Sequence, residues 1–247
     1  NGATLDVVWN LTLAANIISA NVQYGQIEKI KEVAGVQEVI LENRYEPCVV
    51  KQEETADPNM ATSDKMIGSS AAWAAGYTGA GSRIAIIDTG ADVDHPSLDP
   101  DALKYALQGS NATIMTEADL TDEVLNQLNA YTRKAGLTAA DFYVNEKIPF
   151  GFNYVDADTD ITHDNDTQGD HGSHVTGIAA GNRFVKDEAG NYVAALDSVM
   201  TQGVAPDAQI LTMKVFGKRG GAYDSDYMVA MDDAMVLGVD AANLSLG

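Results

Sequence analysis

Two short stretches carry residue types able to do chemistry together. The first, Ser82-Arg83-Ile84-Ala85-Ile86-Ile87-Asp88-Thr89-Gly90, is a continuous β-rich apolar run that ends in a carboxylate and a glycine turn. Fully buried parallel strands read this way, and their functional residues stand just past their carboxyl ends. The second, Asp170-His171-Gly172-Ser173-His174-Val175-Thr176-Gly177-Ile178-Ala179-Ala180-Gly181, opens with an acid and a histidine and continues through small residues too close-packed for an ordinary surface helix. It predicts a buried helix that begins with a histidine at the rim of a sheet. An aspartate after a strand and a histidine opening a helix are two parts of a nucleophilic triad in the chain order Asp, His, Ser. Serine is a poor nucleophile until an imidazole removes its proton, and the imidazole works only in the correct tautomer and orientation. Asp88 would fix His171 through one ring nitrogen, leaving the other to act as general base and then as general acid.

Taken alone, His171 could be an ordinary hydrogen-bonded histidine at a helix end; the Asp88 strand is what argues for chemistry. A metal reading of His171 with His174 meets an i, i+3 spacing that lacks the glutamate and second-turn histidine of zinc peptidases. His174 is expected to pack under the helix, and His95 to be structural.

Four ordered motifs carry a resemblance. Ile86-Ile87-Asp88-Thr89-Gly90 with His95-Pro96, then His171-Gly172-Ser173-His174-Val175-Thr176-Gly177, then Gly203-Val204-Ala205-Pro206, then Asn243-Leu244-Ser245-Leu246-Gly247 resemble the successive signatures of the subtilisin-like serine peptidases. The stretch around Ile148 to Asp156 resembles the larger, lactocepin-type members found at the cell envelope. The resemblance implies a subtilisin-like three-layer α/β/α doubly wound parallel sheet, here incomplete, and a secreted or cell-envelope endopeptidase. It implies Asp88 as orienter and His171 as acid and base. It also implies a substrate-binding loop at Gly220 and Gly221, which pairs with the substrate as an added strand, and a specificity-pocket wall at Ser245, Leu246 and Gly247. The family's nucleophile lies within Gly-Thr-Ser, a tripeptide absent from these 247 residues. Ser245 belongs to the pocket strand and Ser173 to the histidine helix, so the chain reads as an N-terminal piece of a peptidase, inactive by itself.

Composition is ample for a packed core and argues against some partners. The chain is 45% hydrophobic, and its 15 basic against 36 acidic residues give a formal charge of -21, which argues against nucleic acid or an anionic membrane surface as partner. One cysteine, Cys48, allows no internal disulfide and no cysteine zinc cage. No run is long enough to span a bilayer.

In order, Val7 to Leu13 and Ile17 to Val22 read as strands, Tyr24 to Ala34 as a helix stopped by Gly35, and Val36 to Leu41 as a strand. This resembles the later part of a subtilase propeptide, a small ferredoxin-like α+β domain that blocks the active site with its tail. The expected organisation is a partial propeptide over 1–47, a polar linker holding the maturation region over 48–61, and the peptidase part over 62–247. An insertion at about 99–150 includes an amphipathic helix from Glu117 to Lys134. Asp224 to Leu237 reads as a helix with Tyr227, Met228, Met231, Met235 and Val236 toward the core.

No cofactor is required by this chemistry. Calcium is a possible ligand, since Asp156, Asp158 and Asp160 alternate as loop ligands do. An EF-hand would need a glycine and a closing glutamate where Ile161 and Thr167 stand, and Ser97 replaces the aspartate that subtilases often use for calcium after His-Pro. The partners expected are a protein or peptide substrate and the chain's own propeptide. Two rival readings stand beside the peptidase: a non-catalytic peptide-binding module built on the same cleft, and a calcium-binding structural domain.

Overall fold

The computed structural model describes residues 5–47 and 60–245. Most of the expected linker, with Cys48, lies outside them, as do Leu246 and Gly247; the helix Met60–Ile67 takes the linker's last two positions. The strands are β1 (Asp6–Leu11), β2 (Ile17–Asn21), β3 (Arg44–Tyr45), β4 (Arg83–Asp88), β5 (Phe150–Asn153), β6 (Phe184–Lys186), β7 (Tyr192–Ala194), β8 (Gln209–Lys214), β9 (Ala222–Tyr223) and β10 (Ala241–Leu244). Four of them form one parallel sheet in the order β10, β4, β8, β5.

The apolar runs at β4 and β8 are continuous because helices cover both faces of this sheet. Alternation along each strand sends Ala85, Ile87, Leu211 and Met213 into one core, with Val229, Ala230 and Ala234 of the helix Asp224–Val236. Ile86 and Ile210 enter the other, against Val175, Ala179 and Ala180 of the helix His171–Ala180. The result is the expected α/β arrangement, with the histidine helix on one side. In register, Asp88 pairs with Lys214 and Lys214 with Asn153, so three buried polar residues stand abreast at the sheet's carboxyl edge.

Several expected elements take other forms. The predicted helix from Glu117 to Lys134 is broken into Glu117–Asp119, Asp122–Leu125 and Asn129–Arg133. Thr116 and Asp119 close a capping box and Thr121 caps the next turn, so the sequence restarts the helix within a few residues. Val36 to Leu41 is not a strand: Ile40 and Leu41 are exposed, and no neighbouring strand takes up its backbone groups among the described residues. The helix there shrinks to Ile27–Lys31 behind a short 3-10 turn.

The largest departure is in the helix Asp224–Val236. Met235 is exposed, while Asp226, Asp232 and Asp233 are buried beside Val229, Ala230 and Ala234. These carboxylates face inward because backbone and side-chain donors meet them there. The β1–β2 turn offers Asp232 the N–H groups of Thr12 (3.2 Å), Leu13 (3.0 Å) and Ala14. Trp9 Nε1 donates to Asp226 at 3.3 Å, and Glu42 accepts from Ser225 N, at the helix N-terminus, at 2.8 Å. Asp233 accepts from Asn129 N, Ala130 N and Tyr154 Oη at 2.7 to 3.0 Å. The N-terminal hairpin is thereby seated on the helix, its Trp9 and Leu11 buried in the same core as Tyr154.

Candidate active site

The site forms where β4 ends and the histidine helix begins. Asp88 is the last residue of β4, 1% exposed, and His171 is the first residue of its helix. His171 Nδ1 lies 2.8 Å from Asp88 Oδ1, and the imidazole is 16% exposed. A carboxylate only accepts, so Nδ1 carries the proton in the neutral ring and Nε2 is left with a lone pair. That is the tautomer a general base needs.

Thr89 ties the two halves together. Its N–H donates to Asp88 Oδ1 at 2.7 Å, and its hydroxyl oxygen accepts from Gly172 N at 2.9 Å. Asp88 Oδ2 is buried with no hydrogen-bond partner among the described residues, so the carboxylate is oriented through Oδ1 alone. The helix reaches the turn only because Gly172 has no side chain. A Cβ there would sit 2.1 Å from the Gly90 carbonyl oxygen, far inside van der Waals contact.

The Lys218 to Ala222 loop follows β8 and meets Asp156 through Lys218 N at 2.9 Å. Gly220 turns at φ +89°, and Gly221 lies flat under the chain's own N-terminal segment. There Arg44 pairs with Tyr223 and Tyr45 with Ala222 in antiparallel register. A Cβ on Gly221 would come 2.3 Å from the Tyr45 carbonyl oxygen, so glycine is required for this approach. The Tyr45 ring meets Tyr227 edge-on at 5.7 Å. The loop expected to be open to a peptide thus already holds an extended strand. Ser245 stands away from the dyad's hydrogen bonds, its Oγ donating to Asn243 Oδ1 at 2.9 Å.

Two other histidines are placed. His95 bonds Ser97 Oγ at 2.7 Å and accepts from Ser97 N, capping a short 3-10 turn. His174 does not pack under the helix as expected: its side chain is 50% exposed, with Nε2 4.0 Å from Asp170.

The acidic loop spends its oxygens internally. Asp156 accepts from Asn153 Nδ2 and Lys218 N, Asp158 from Asp160 N, and Asp160 from Thr162 and Asn165. No group of three or more His, Cys, Asp or Glu side chains converges on a metal position among the described residues. Ser97, bonded to His95, offers no carboxylate at that turn.

Comparison with known proteins decides the family. Residues 79–247 match the model of the subtilase family. The chain belongs to the subtilases. It is 32% identical over 239 residues to the PI-type proteinase of Lactococcus lactis subsp. cremoris, covering 94% of this chain and 10% of that protein. It is 28% identical over 211 residues to the minor extracellular protease Vpr of Bacillus subtilis, covering 83% of this chain and 19% of that one. The C5a peptidase of Streptococcus pyogenes is 29% identical over 171 residues, 68% of this chain and 12% of its own length. This subtilase chain therefore spans about a tenth of the length of the lactococcal relative.

Sequence reasoning singled out Asp88 and His171, which the structure brings into hydrogen-bond contact, but passed over Thr89, Lys214, Asp166 and the buried acids of the 224–236 helix. The signal available for Lys214 was its place at the end of a buried strand, where a lysine has no solvent to reach.

Proposed function

We propose that this subtilase chain supplies the orienting aspartate and the acid–base histidine of a secreted or cell-envelope serine endopeptidase. The observation that carries it is the 2.8 Å contact between His171 Nδ1 and Asp88 Oδ1 at the carboxyl edge of the sheet. In this reading His171 Nε2 takes the proton of a serine hydroxyl as it attacks the peptide carbonyl. Asp88 stabilises the imidazolium that results. His171 then passes the proton to the leaving amine, and water repeats the cycle on the acyl-enzyme. The serine and the oxyanion donor come from outside residues 1–247, so this stretch alone does not turn over.

We further propose that residues 1–47 are a propeptide. Its tail, Arg44–Tyr45, lies antiparallel on Ala222–Tyr223, as a bound peptide added to a sheet edge would. Gly220 and Gly221 then serve the substrate strand after maturation. The names of the relatives, proteinases and an extracellular protease, support this reading.

A fluorophosphonate probe, which labels only a serine activated by a neighbouring base, tests it. The protein expressed from the longer reading frame is expected to be labelled, and its His171→Ala variant and residues 1–247 alone are not. Equal labelling of the longer protein with and without His171 would remove the peptidase assignment.

A further inference from the structure

We propose that Lys214, paired with Asp166, is a positioning residue that locks the Asp88–His171 geometry; the inference rests on the dyad reading above. Lys214 ends β8 directly abreast of Asp88, and both side chains lie on the face covered by the histidine helix. It is 1% exposed, and its only carboxylate partner among the described residues is Asp166, 3% exposed, at 2.7 Å. Burying an ion pair rarely stabilises a fold over an apolar replacement of the same volume. A pair retained in the interior beside a reactive site is better explained by what it holds in place.

What it holds is the peptide next to the carboxylate. Lys214 Nζ donates to the Thr89 carbonyl oxygen. The same Thr89 presents its N–H to Asp88 Oδ1 and its hydroxyl oxygen to Gly172 N. Because Asp88 Oδ2 has no partner among the described residues, the carboxylate's rotation is set by Thr89 N and the imidazole alone. The Thr89 carbonyl and N–H belong to adjoining peptide planes, so holding the carbonyl restrains the residue that supplies one of the two donors that aim the carboxylate.

The other arm reaches the histidine. Asp166 accepts from Gln168 N at 2.8 Å through its second oxygen, and the Thr89 hydroxyl donates to Gly169 O at 3.3 Å. The loop is thus pinned over the residues that lead into His171. One ammonium anchors both sides of the dyad: Asp88 through Thr89, and His171 through Asp166 and the 168–170 segment. Too deeply buried to touch a substrate, Lys214 acts through these neighbours. The charged groups that face it are Asp166 and its register partner Asp88.

The test uses the 247-residue chain labelled with 15N-histidine, and reads the His171 tautomer from its ring nitrogen shifts together with the Nδ1–H proton resonance. Neither readout needs the serine. The wild type is expected to hold the Nδ1–H form, and Asp88→Asn to lose it. Lys214→Met is expected to shift the tautomer ratio toward Nε2–H by about fivefold, the scale of one lost hydrogen bond. Asp166→Asn is expected to give a smaller shift in the same direction. Lys214→Met combined with Asp166→Asn, which leaves no lone buried charge, guards against misfolding of the single variant and is expected to shift as Lys214→Met does. Folded variants that keep the wild-type ratio overturn this inference and leave the dyad reading standing. So does failure of both Lys214→Met and the double variant to fold, since the pair would then serve the fold as a whole. A wild type without the Nδ1–H signature, or one unchanged by Asp88→Asn, overturns the dyad and this inference together.

Discussion

At the scale of single residues, the molecule places carboxylates where burial works against them. Asp233 is fully buried, and its carboxyl is pushed up to about 6 by desolvation, against the opposing pull of donors from Ala130, Asn129 and Tyr154. Below about 4, Asp233 is protonated in the folded and unfolded states alike. As pH climbs through about 6, the folded protein must give up a proton that the unfolded chain released earlier, so stability is lost, by roughly 3 kcal/mol at neutral pH. Asp233→Asn removes this term. Urea melts at pH 4 and pH 7 are therefore expected to show the variant gaining on the wild type by about 2–3 kcal/mol between the two. A constant difference across that range would show that Asp233 is ionised throughout. Asp88 and His171 were legible in sequence because each sits at a break in an unmistakable pattern, an apolar run ending in a carboxylate and a small-residue helix opening with an imidazole. Lys214 and Asp233 were not. Their partners, Asp166 and the residues around Asn129, lie far away along the chain, and nothing local announces a contact of that range.

At the scale of elements, sequence pattern predicted the central strands and the existence of the helices on the two faces of the sheet, since each is long enough or apolar enough to be specified locally. It failed for Glu117 to Lys134, where successive caps outcompete helix continuation, and for Val36 to Leu41, where β-propensity finds no partner strand. The meeting of the histidine helix with the β4 turn depends on a glycine. Gly172→Ala puts a methyl group 2.1 Å from the Gly90 carbonyl oxygen, and the helix must back away. We expect a loss of about 1–3 kcal/mol in denaturant stability. The His171 to Asp88 contact is expected to weaken with it, read as loss of the Nδ1–H proton resonance. Retention of both would mean that the turn yields without cost.

At the scale of the whole molecule, the N-terminal segment and the sheet domain are joined chiefly by aromatic burial and by carboxylates receiving N–H groups. Trp9 is 3% exposed, its ring 6.1 Å from Tyr154 and its indole N–H on Asp226. Trp9→Ala is expected to cost about 3–5 kcal/mol and to open residues 5–47 to a protease supplied at low concentration. Continued protection of that segment would show that the hairpin is held by other means. Gly221→Ala separates the tail contact from the hairpin. Its Cβ would strike the Tyr45 carbonyl oxygen, so amide exchange at Arg44, Tyr45, Ala222 and Tyr223 is expected to accelerate by about tenfold or more while Trp9 stays buried.

The account turns on His171 acting as the base that Asp88 aims, and catalysis by the protein from the longer reading frame measures this most directly. Cleavage of an unstructured polypeptide should fall by about a thousandfold or more in kcat for His171→Ala, and by a comparable factor for Asp88→Asn, with KM little changed. Cleavage retained within a fewfold of the wild type in either variant would contradict the pairing of these two residues as the chemical core of the molecule.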